Sequence, residues 1–296
     1  MSTNPNTQNQ FWPIISLLVA ATLWGVSWYP LRFLETRGLS GLWITLMVYS
    51  VALSVGMLFY YKHLKEFSRL PHIVFLVAAG NAWCNVAFIL AILEGNVMRV
   101  LLLFYLSPVW ATLLSRWWLG ERLTWLSWST LVVAIVGALI MLWDPAIGFP
   151  WPQSRADVLA ITSGMAFALG NAAVRKLQET SVPAKNLAAW LGVTVLSAVL
   201  LLVQGASVPQ ISAGVVTGTL FIGGALVMLM TFTVQYGVTH LPLHRSAIIL
   251  LFELVAAALS SHWLSHERMS QEEWLGGLLI VLAGYLSARS QMSPQS

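Results

Sequence analysis

Long apolar stretches separated by short polar breaks run along the whole chain. A helix that crosses the hydrocarbon core of a membrane needs about 20 predominantly apolar residues. Ten stretches meet this requirement, and none shows the period-two alternation of a membrane β-barrel. They cover residues 12–34, 41–61, 72–93, 97–118, 125–143, 156–177, 184–204, 213–239, 243–264 and 271–289. The pattern predicts an all-α integral membrane protein with ten transmembrane helices.

Composition agrees with this prediction. Of the 296 residues, 58% are hydrophobic and only 9% are charged, whereas about 25% of the residues of a soluble domain are charged. The net charge of +4 is scattered, and no basic run suited to nucleic acid is present. A lone cysteine, Cys84, excludes an intrachain disulfide and a multi-cysteine metal site.

One segment of the chain occurs twice. Residues 97–122 return as residues 243–268 after a shift of 146 positions, which is about half the chain length. Eight of the 26 positions are identical without a gap, at Arg99/Arg245, Val109/Val255, Ala111/Ala257, Leu113/Leu259, Ser115/Ser261, Trp117/Trp263, Glu121/Glu267 and Arg122/Arg268. The repeat predicts two five-helix modules, residues 1–148 and 149–296, joined by the Pro- and Gly-rich linker Asp144–Arg155.

Because each half contains an odd number of spans, the second copy must cross the membrane in the opposite sense to the first. Arg99 and Arg245 are then expected on opposite sides, as are Glu121 and Glu267. Inverted repeats of this kind place a binding site near the midplane between the halves, and rocking of the halves exposes it alternately. The predicted fold is therefore two inverted five-helix repeats around a central cavity.

Lys and Arg in short loops predict the orientation. With the N-terminus in the cytoplasm, ten of the 15 Lys and Arg residues fall on the inside and five on the outside. This bias predicts that both termini are cytoplasmic.

Several short motifs resemble those of a known family. They are Leu23-Trp24-Gly25 in the first span, Ser107-Pro108 in the fourth, and Leu119–Thr124 with its degenerate echo Leu264–Ser270. The chain resembles the EamA type of the drug/metabolite transporter (DMT) superfamily, and most of all the bacterial YddG exporters of aromatic and other amino acids. The resemblance implies a location in the bacterial cytoplasmic membrane. It also implies that four helices of each half surround the cavity, with the fifth and tenth at the periphery.

Glu253, near the centre of the ninth span, is the most informative single residue. A charged side chain there costs roughly 3 kcal/mol on insertion scales, and such residues usually face a cavity or a partner. Glu253 is predicted to bind a substrate ammonium or to carry a coupling proton. The alternative is an interhelical hydrogen-bonded tie. Its repeat mate is Ser107, which makes the two halves chemically different at this point.

Other polar and aromatic side chains at mid-span are further candidates for the cavity. Amides inside lipid need partners, which a polar substrate or a neighbouring helix could supply, and aromatic faces suit a ring or a cation. The complete set of substrate-binding candidates is Trp24, Asn81, Asn85, Tyr105, Ser107, Asn171, Gln235 and Glu253. Tyr105 matches by position a cavity-lining tyrosine of the resembling exporters.

Three charged positions are predicted to have structural roles. Glu121-Arg122 is expected to form a local ion pair that fixes a turn, as is its repeat Glu267-Arg268. Arg175 is expected to anchor the sixth span at the interface.

Competing functions are a membrane enzyme and a channel. The pairs His240/His244 and His262/His266 have helical spacing, but both lack the Glu of a zinc-protease motif. Neither a phosphate-binding loop nor a filter sequence is visible, so no metal and no cofactor are predicted. The sequence predicts a carrier whose partners are a small-molecule substrate and the lipid bilayer. Protons remain a candidate coupling ion, lipophilic cations are the second candidate cargo, and the oligomeric state is left open.

Overall fold

The structure, a computed structural model, describes residues 5–143, 152–210, 212–264 and 270–289. Within these ranges the chain forms helices joined by short turns, and no β-strand is present. The N-terminal half contains α1 (Pro5–Val26), α2 (Trp28–Glu35), α3 (Gly41–Tyr60), a 3-10 helix (Tyr61–Ser68), α4 (Pro71–Glu94), α5 (Val97–Phe104), α6 (Ser107–Trp117) and α7 (Trp125–Leu142). The C-terminal half contains α8 (Arg155–Lys176), α9 (Val182–Val203), α10 (Ala213–Phe221), a π-helical turn (Ile222–Val227), α11 (Met228–His240), α12 (Leu243–Leu250), α13 (Phe252–Leu264) and α14 (Gln271–Arg289).

In the described ranges, nine helical segments are long and apolar enough to cross a membrane, where adjoining helices such as α1 and α2 count as one segment. The tenth segment is α14, whose first turn carries Glu272 and Glu273. It packs along α7, where a Cβ atom at Gly137 would lie 2.8 Å from the carbonyl oxygen of Gly276. Outside this pairing, the main contacts of α7 and α14 among the described residues are with α5, α12 and α13, which places the pair at the periphery. The predicted all-α fold of ten spans is confirmed.

The fourth and ninth spans are each interrupted near the middle. The fourth span is interrupted between Phe104 and Ser107, and Pro108 has no N–H to bond to the Phe104 carbonyl. The ninth span is interrupted at the equivalent position, Leu251, although Leu254 stands in place of the proline. Glu253 lies in the first turn of α13, where the helix dipole favours an acidic side chain. The break therefore belongs to the repeat and does not depend on the proline.

Contacts at the two ends of α8 show that the repeats are inverted. This helix of 22 residues is about 33 Å long at 1.5 Å per residue. At its start, Asp157 accepts a hydrogen bond from Nε of Arg99, the third residue of α5, at 2.9 Å. At its end, Arg175 pairs with Glu121, which in turn accepts from the N–H of Leu243, the first residue of α12. The equivalent helices α5 and α12 therefore begin at opposite ends of α8.

Glu121 joins the two halves at one end of the bundle. The predicted local pair with Arg122 is wrong, because Arg122 is exposed and the partners of Glu121 come from elsewhere. These partners, which we call the Glu121 cluster, are Arg175 Nε at 3.1 Å, Leu243 N at 2.9 Å, His244 Nδ1 at 3.4 Å and the Ser115 hydroxyl. Arg175 is accordingly an internal tie and not an interfacial anchor. The repeat pair Glu267-Arg268 lies outside the described residues.

The surroundings of Glu121 favour its charged form. Burial alone would raise the pKa of this carboxyl group, but hydrogen bonds from His244, Ser115 and Arg175, together with the charge of Arg175, outweigh burial. The pKa of Glu121 is therefore lowered below its ordinary value of 4.5. An ion pair with this many hydrogen bonds holds the loop after α6 against the start of α12 and the end of α8.

Gly25 allows α1 to approach the backbone of α13. A Cβ atom at this position would lie 2.6 Å from the carbonyl oxygen of Glu253, 2.7 Å from Cβ of Ala256 and 2.8 Å from the N of Ala257. No side chain fits into such a space without moving the backbone. The position of Glu253 relative to α1 therefore depends on this glycine.

Replacing Gly25 with Ala is expected to push α13 away from α1 and to cost roughly 1–3 kcal/mol, the usual range for overpacking. The melting temperature of the purified protein in detergent measures this loss. Gly284→Ala is the matched control, because a Cβ atom at Gly284 meets nothing within 4 Å. Equal melting temperatures for the two variants would contradict the proposed role of Gly25.

Replacing Glu121 with Gln is expected to cost about 2–3 kcal/mol at pH 7, because Arg175 loses its ion-pair partner. Since the pKa of Glu121 is lowered by folding, its contribution is complete above about pH 4.5 and is lost as the pH falls below that value. The difference in melting temperature between wild type and variant should therefore shrink below pH 4.5. Glu179→Gln, an exposed site, is the control. A difference that does not change with pH would refute this explanation.

Candidate functional site

A cavity of about 160 Å³ lies between the two halves of the bundle. Its walls come from α1, α3, α4, α5, α8, α11, α12 and α13, together with Tyr105 at the break of the fourth span. The lining residues are Trp24, Tyr49, Asn81, Cys84, Asn85, Phe88, Leu101, Phe104, Tyr105, Phe167, Asn171, Val174, Thr231, Val234, Gln235, Leu250 and Glu253. The cavity thus lies between the inverted repeats, with α7 and α14 outside it.

The structure brings seven of the eight sequence-predicted candidates together around this cavity. They are Trp24, Asn81, Asn85, Tyr105, Asn171, Gln235 and Glu253. Ser107 does not line it, because its short side chain is buried in the first turn of α6. The repeat mate Glu253 has a longer side chain and reaches the cavity. The role of these residues in binding a substrate stays a prediction.

Glu253 and two unpartnered amides form a polar part of the wall. The phenol of Tyr105 donates a hydrogen bond to the Glu253 carboxyl group. The Oε1 atom of Gln235 is buried and has no hydrogen-bond partner among the described residues. The Asn171 side chain likewise forms no hydrogen bond within the described part of the chain. These groups offer an acidic oxygen, an amide acceptor and a complete amide to a bound molecule.

The two asparagines of α4 are already hydrogen-bonded within the protein. Asn81 donates to the carbonyl of Val77 at 2.8 Å, and Asn85 donates to the carbonyl of Asn81 at 2.9 Å. The oxygen of Asn85 accepts from the hydroxyl of Tyr49 at 3.0 Å. Because Asn85 forms an interhelical bond, it has less capacity for a ligand than Asn171. Asn81 and Asn85 both still line the cavity.

Aromatic rings form another part of the wall. The ring of Phe104 lies 4.9 Å from Phe88, 5.2 Å from Tyr105 and 5.9 Å from Phe167, measured between centroids. Edge and tilted contacts at such distances stabilise aromatic pairs by about 0.5–1.5 kcal/mol each. A connected set of rings beside a carboxyl group can hold an apolar or aromatic group whose other end is charged.

Ten of the seventeen lining residues were not among the sequence-predicted candidates, and Tyr49 and Phe104 are two of them. Tyr49 lies on the buried face of α3, which also carries Thr45, Ala52 and Gly56 at helical spacing. This stripe of small and polar residues was a usable signal. Phe104 gave no signal of its own, because a phenylalanine in an apolar span is equally compatible with facing lipid or protein.

The histidines take part in other interactions. His240 Nδ1 is 2.7 Å from the carbonyl oxygen of Tyr236, one turn earlier in the same helix. His244 belongs to the Glu121 cluster, and His266 of the second pair lies outside the described residues. No group of three or more side chains of the metal-ligand type converges in the described ranges.

Comparison with known proteins identifies the family. A model described as the EamA-like transporter family matches the chain twice, over residues 11–143 and 154–289. The biotin transporter of Escherichia coli K12 is 25% identical over 213 residues, which are 70% of this chain and 69% of that protein. The same values hold for the biotin transporter of Escherichia coli O157:H7. A protein of known crystal structure superposes with a TM-score of 0.77 at 16% identity, over 96% of this chain and 99% of its own.

The two family matches together cover nearly the whole chain, one match for each half. The first match spans α1 to α7 and the second spans α8 to α14, so each match corresponds to one half of the fold. These matches, with a transporter as a relative, indicate a transporter and not an enzyme. The chain is a multi-pass membrane protein that belongs to the EamA-like transporter family.

Proposed function

We propose that this protein is a secondary carrier that exports small organic metabolites, most of all amino acids including aromatic ones, across the bacterial cytoplasmic membrane. One observation carries the proposal. The cavity between the inverted repeats combines an aromatic wall with a carboxyl group and amides that lack partners in the described chain. An aromatic amino acid presents the complementary set: an apolar ring and, at its other end, hydrogen-bonding charged groups.

Each part of the wall has a role in this proposal. Glu253 binds the ammonium group of the cargo, because a carboxylate in a dry cavity favours a cationic partner. The rings around Phe104 hold the cargo side chain. Asn171 and Gln235 supply hydrogen bonds that fix its orientation.

Movement follows from the inverted repeat. Rocking of one half against the other opens the cavity first to one side and then to the other. The Glu121 cluster joins the halves at one end of the bundle, and the Arg99–Asp157 pair joins them at the other. In the proposed orientation both termini and the Glu121 cluster are cytoplasmic.

A lipophilic cation is the second candidate cargo. It is favoured by Glu253 and Trp24, which both line the cavity and both attract cations. Biotin is a third compound to test, because a relative is named a biotin transporter. Biotin carries a carboxylate but no ammonium group, which makes it useful for separating the roles of the cavity residues.

Purified protein in liposomes should accumulate labelled phenylalanine or tryptophan by counterflow, since a carrier exchanges cargo across the membrane while a channel does not. The panel includes other neutral amino acids, biotin and tetraphenylphosphonium, with and without a pH gradient. Accumulation that requires the gradient indicates proton coupling. Counterflow of tetraphenylphosphonium alone would replace the amino-acid assignment by the second candidate, and no counterflow with any compound would refute the carrier.

Replacing Glu253 with Gln should lower the affinity for zwitterionic amino acids by about ten- to a hundredfold, the value of one charge-assisted hydrogen bond. Transport of a compound without an ammonium group, such as biotin, should change little. Glu179→Gln removes the same charge at an exposed site and is the control. Unchanged amino-acid affinity in Glu253→Gln would remove Glu253 from the binding site.

A further inference from the structure

Lys185 is a buried cation that forms no ion pair with any described residue. It lies in the first turn of α9 and is only 1% exposed. Its ammonium group donates to the hydroxyl of Thr239 at 2.9 Å, and no carboxylate of a described residue lies within 4 Å of it. An ammonium group has three donors, so this contact leaves it largely unsatisfied. A cation at a helix N-terminus is also opposed by the helix dipole. Helix stability therefore does not explain this lysine.

The charged groups nearby are committed to other partners. Arg175 donates to the carbonyl of Thr239 and to Glu121, so two cations converge on Thr239. Glu121 is held by the cluster described above. Glu66, in the 3-10 helix packed against α9, accepts from the N–H of Ser181 at 2.7 Å and contacts His63 at 2.6 Å. Neither carboxylate is available to Lys185 without breaking these bonds.

Both cations lie beside cavity-lining residues. Thr239 donates to the backbone carbonyl of Gln235, which lines the cavity. Arg175 directly follows Val174 and comes four residues after Asn171, about 6 Å along α8, and both of these residues line the cavity. The amide oxygen of Gln235 and the side chain of Asn171 are two cavity-lining groups without hydrogen-bond partners in the described chain. Lys185 and Arg175 thus stand directly behind the unsatisfied part of the wall.

We propose that Lys185, supported by Arg175, binds the carboxylate of the cargo as it enters the cavity from the end that carries the Glu121 cluster. The proposal rests on the carrier function and narrows its substrate class to organic carboxylates. Zwitterionic amino acids and carboxylic acids such as biotin belong to this class, and lipophilic cations do not. In this proposal Glu253 binds the ammonium group of an amino acid, and Lys185 binds its carboxylate.

The test compares each acid with its amide, which keeps the shape of the cargo and removes the negative charge. The compounds are phenylalanine with phenylalaninamide, and biotin with biotinamide. Counterflow in liposomes is measured for wild type, Lys185→Met and Lys185→Arg, with Lys176→Met as a control at an exposed lysine. We expect wild type to prefer the acid, Lys185→Met to lose that preference by about tenfold or more, and Lys185→Arg to keep it.

A purely structural role of Lys185 predicts a different result. Thr239→Val removes the hydrogen bond to Lys185 but leaves the cation in place. If the lysine only ties α9 to α11, this variant will behave like Lys185→Met, and both will transport acid and amide equally poorly. The proposal is overturned if Thr239→Val loses the preference for acid over amide as Lys185→Met does, or if Lys185→Met lowers transport of acid and amide by the same factor. If Lys185→Met does not purify as a folded protein, Lys185→Gln replaces it in the test. If both of these variants misfold and Lys185→Arg folds, the lysine has a structural role and the binding role is contradicted.

The outcomes separate this inference from the carrier function. If wild type transports none of the compounds, the carrier proposal fails. If wild type transports an acid and Lys185→Met retains the same preference for acid over amide, only the assignment of Lys185 fails.

Discussion

A polar side chain inside a membrane must find its partner within the protein, because hydrocarbon offers none. This constraint decides which face of each span points inward. The Tyr49–Asn85 bond joins α3 to α4, and Tyr105 joins the break of the fourth span to α13 through Glu253. Two polar groups that are not satisfied in this way within the described chain, the Gln235 oxygen and the Asn171 side chain, line the cavity. The same requirement that packs the bundle therefore also gives it a polar centre.

Close helix packing without a hydrophobic driving force needs small residues at the crossings. Gly25 meets this need at the point where α1 crosses α13, next to the residue that carries the acidic group of the cavity. Gly137 and Gly276 do the same for α7 and α14. The first crossing sets the position of a functional group. The second joins the peripheral pair and leaves the cavity unaffected, so similar glycines have different consequences in the two places.

Much of this arrangement could be predicted from the sequence. Span bounds follow from hydropathy, and inversion follows from the repeat with an odd number of spans. Polar residues are rare in apolar spans, so Asn171, Gln235 and Glu253 stood out as candidates for the cavity. The partners of Glu121 could not be predicted, because Arg175 and Leu243 are 54 and 122 residues away in the chain. Contacts between distant segments produce no periodic pattern in the sequence. The adjacent Arg122 was therefore the only partner of Glu121 that the sequence suggested.

The backbone of the two repeats is more symmetric than their chemistry. The fourth and ninth spans break at equivalent positions, yet the residue equivalent to Glu253 in the first repeat is Ser107. Each end of the bundle nevertheless carries a largely buried Arg–carboxylate pair, Arg99–Asp157 at 2.9 Å and Arg175–Glu121 at 3.1 Å. A carrier of the proposed type needs inward- and outward-open states that differ by only a few kcal/mol, since otherwise one state would hold nearly all molecules. Inverted packing with a comparable ion pair at each end meets this requirement. The asymmetric side chains in the centre remain free to select the cargo.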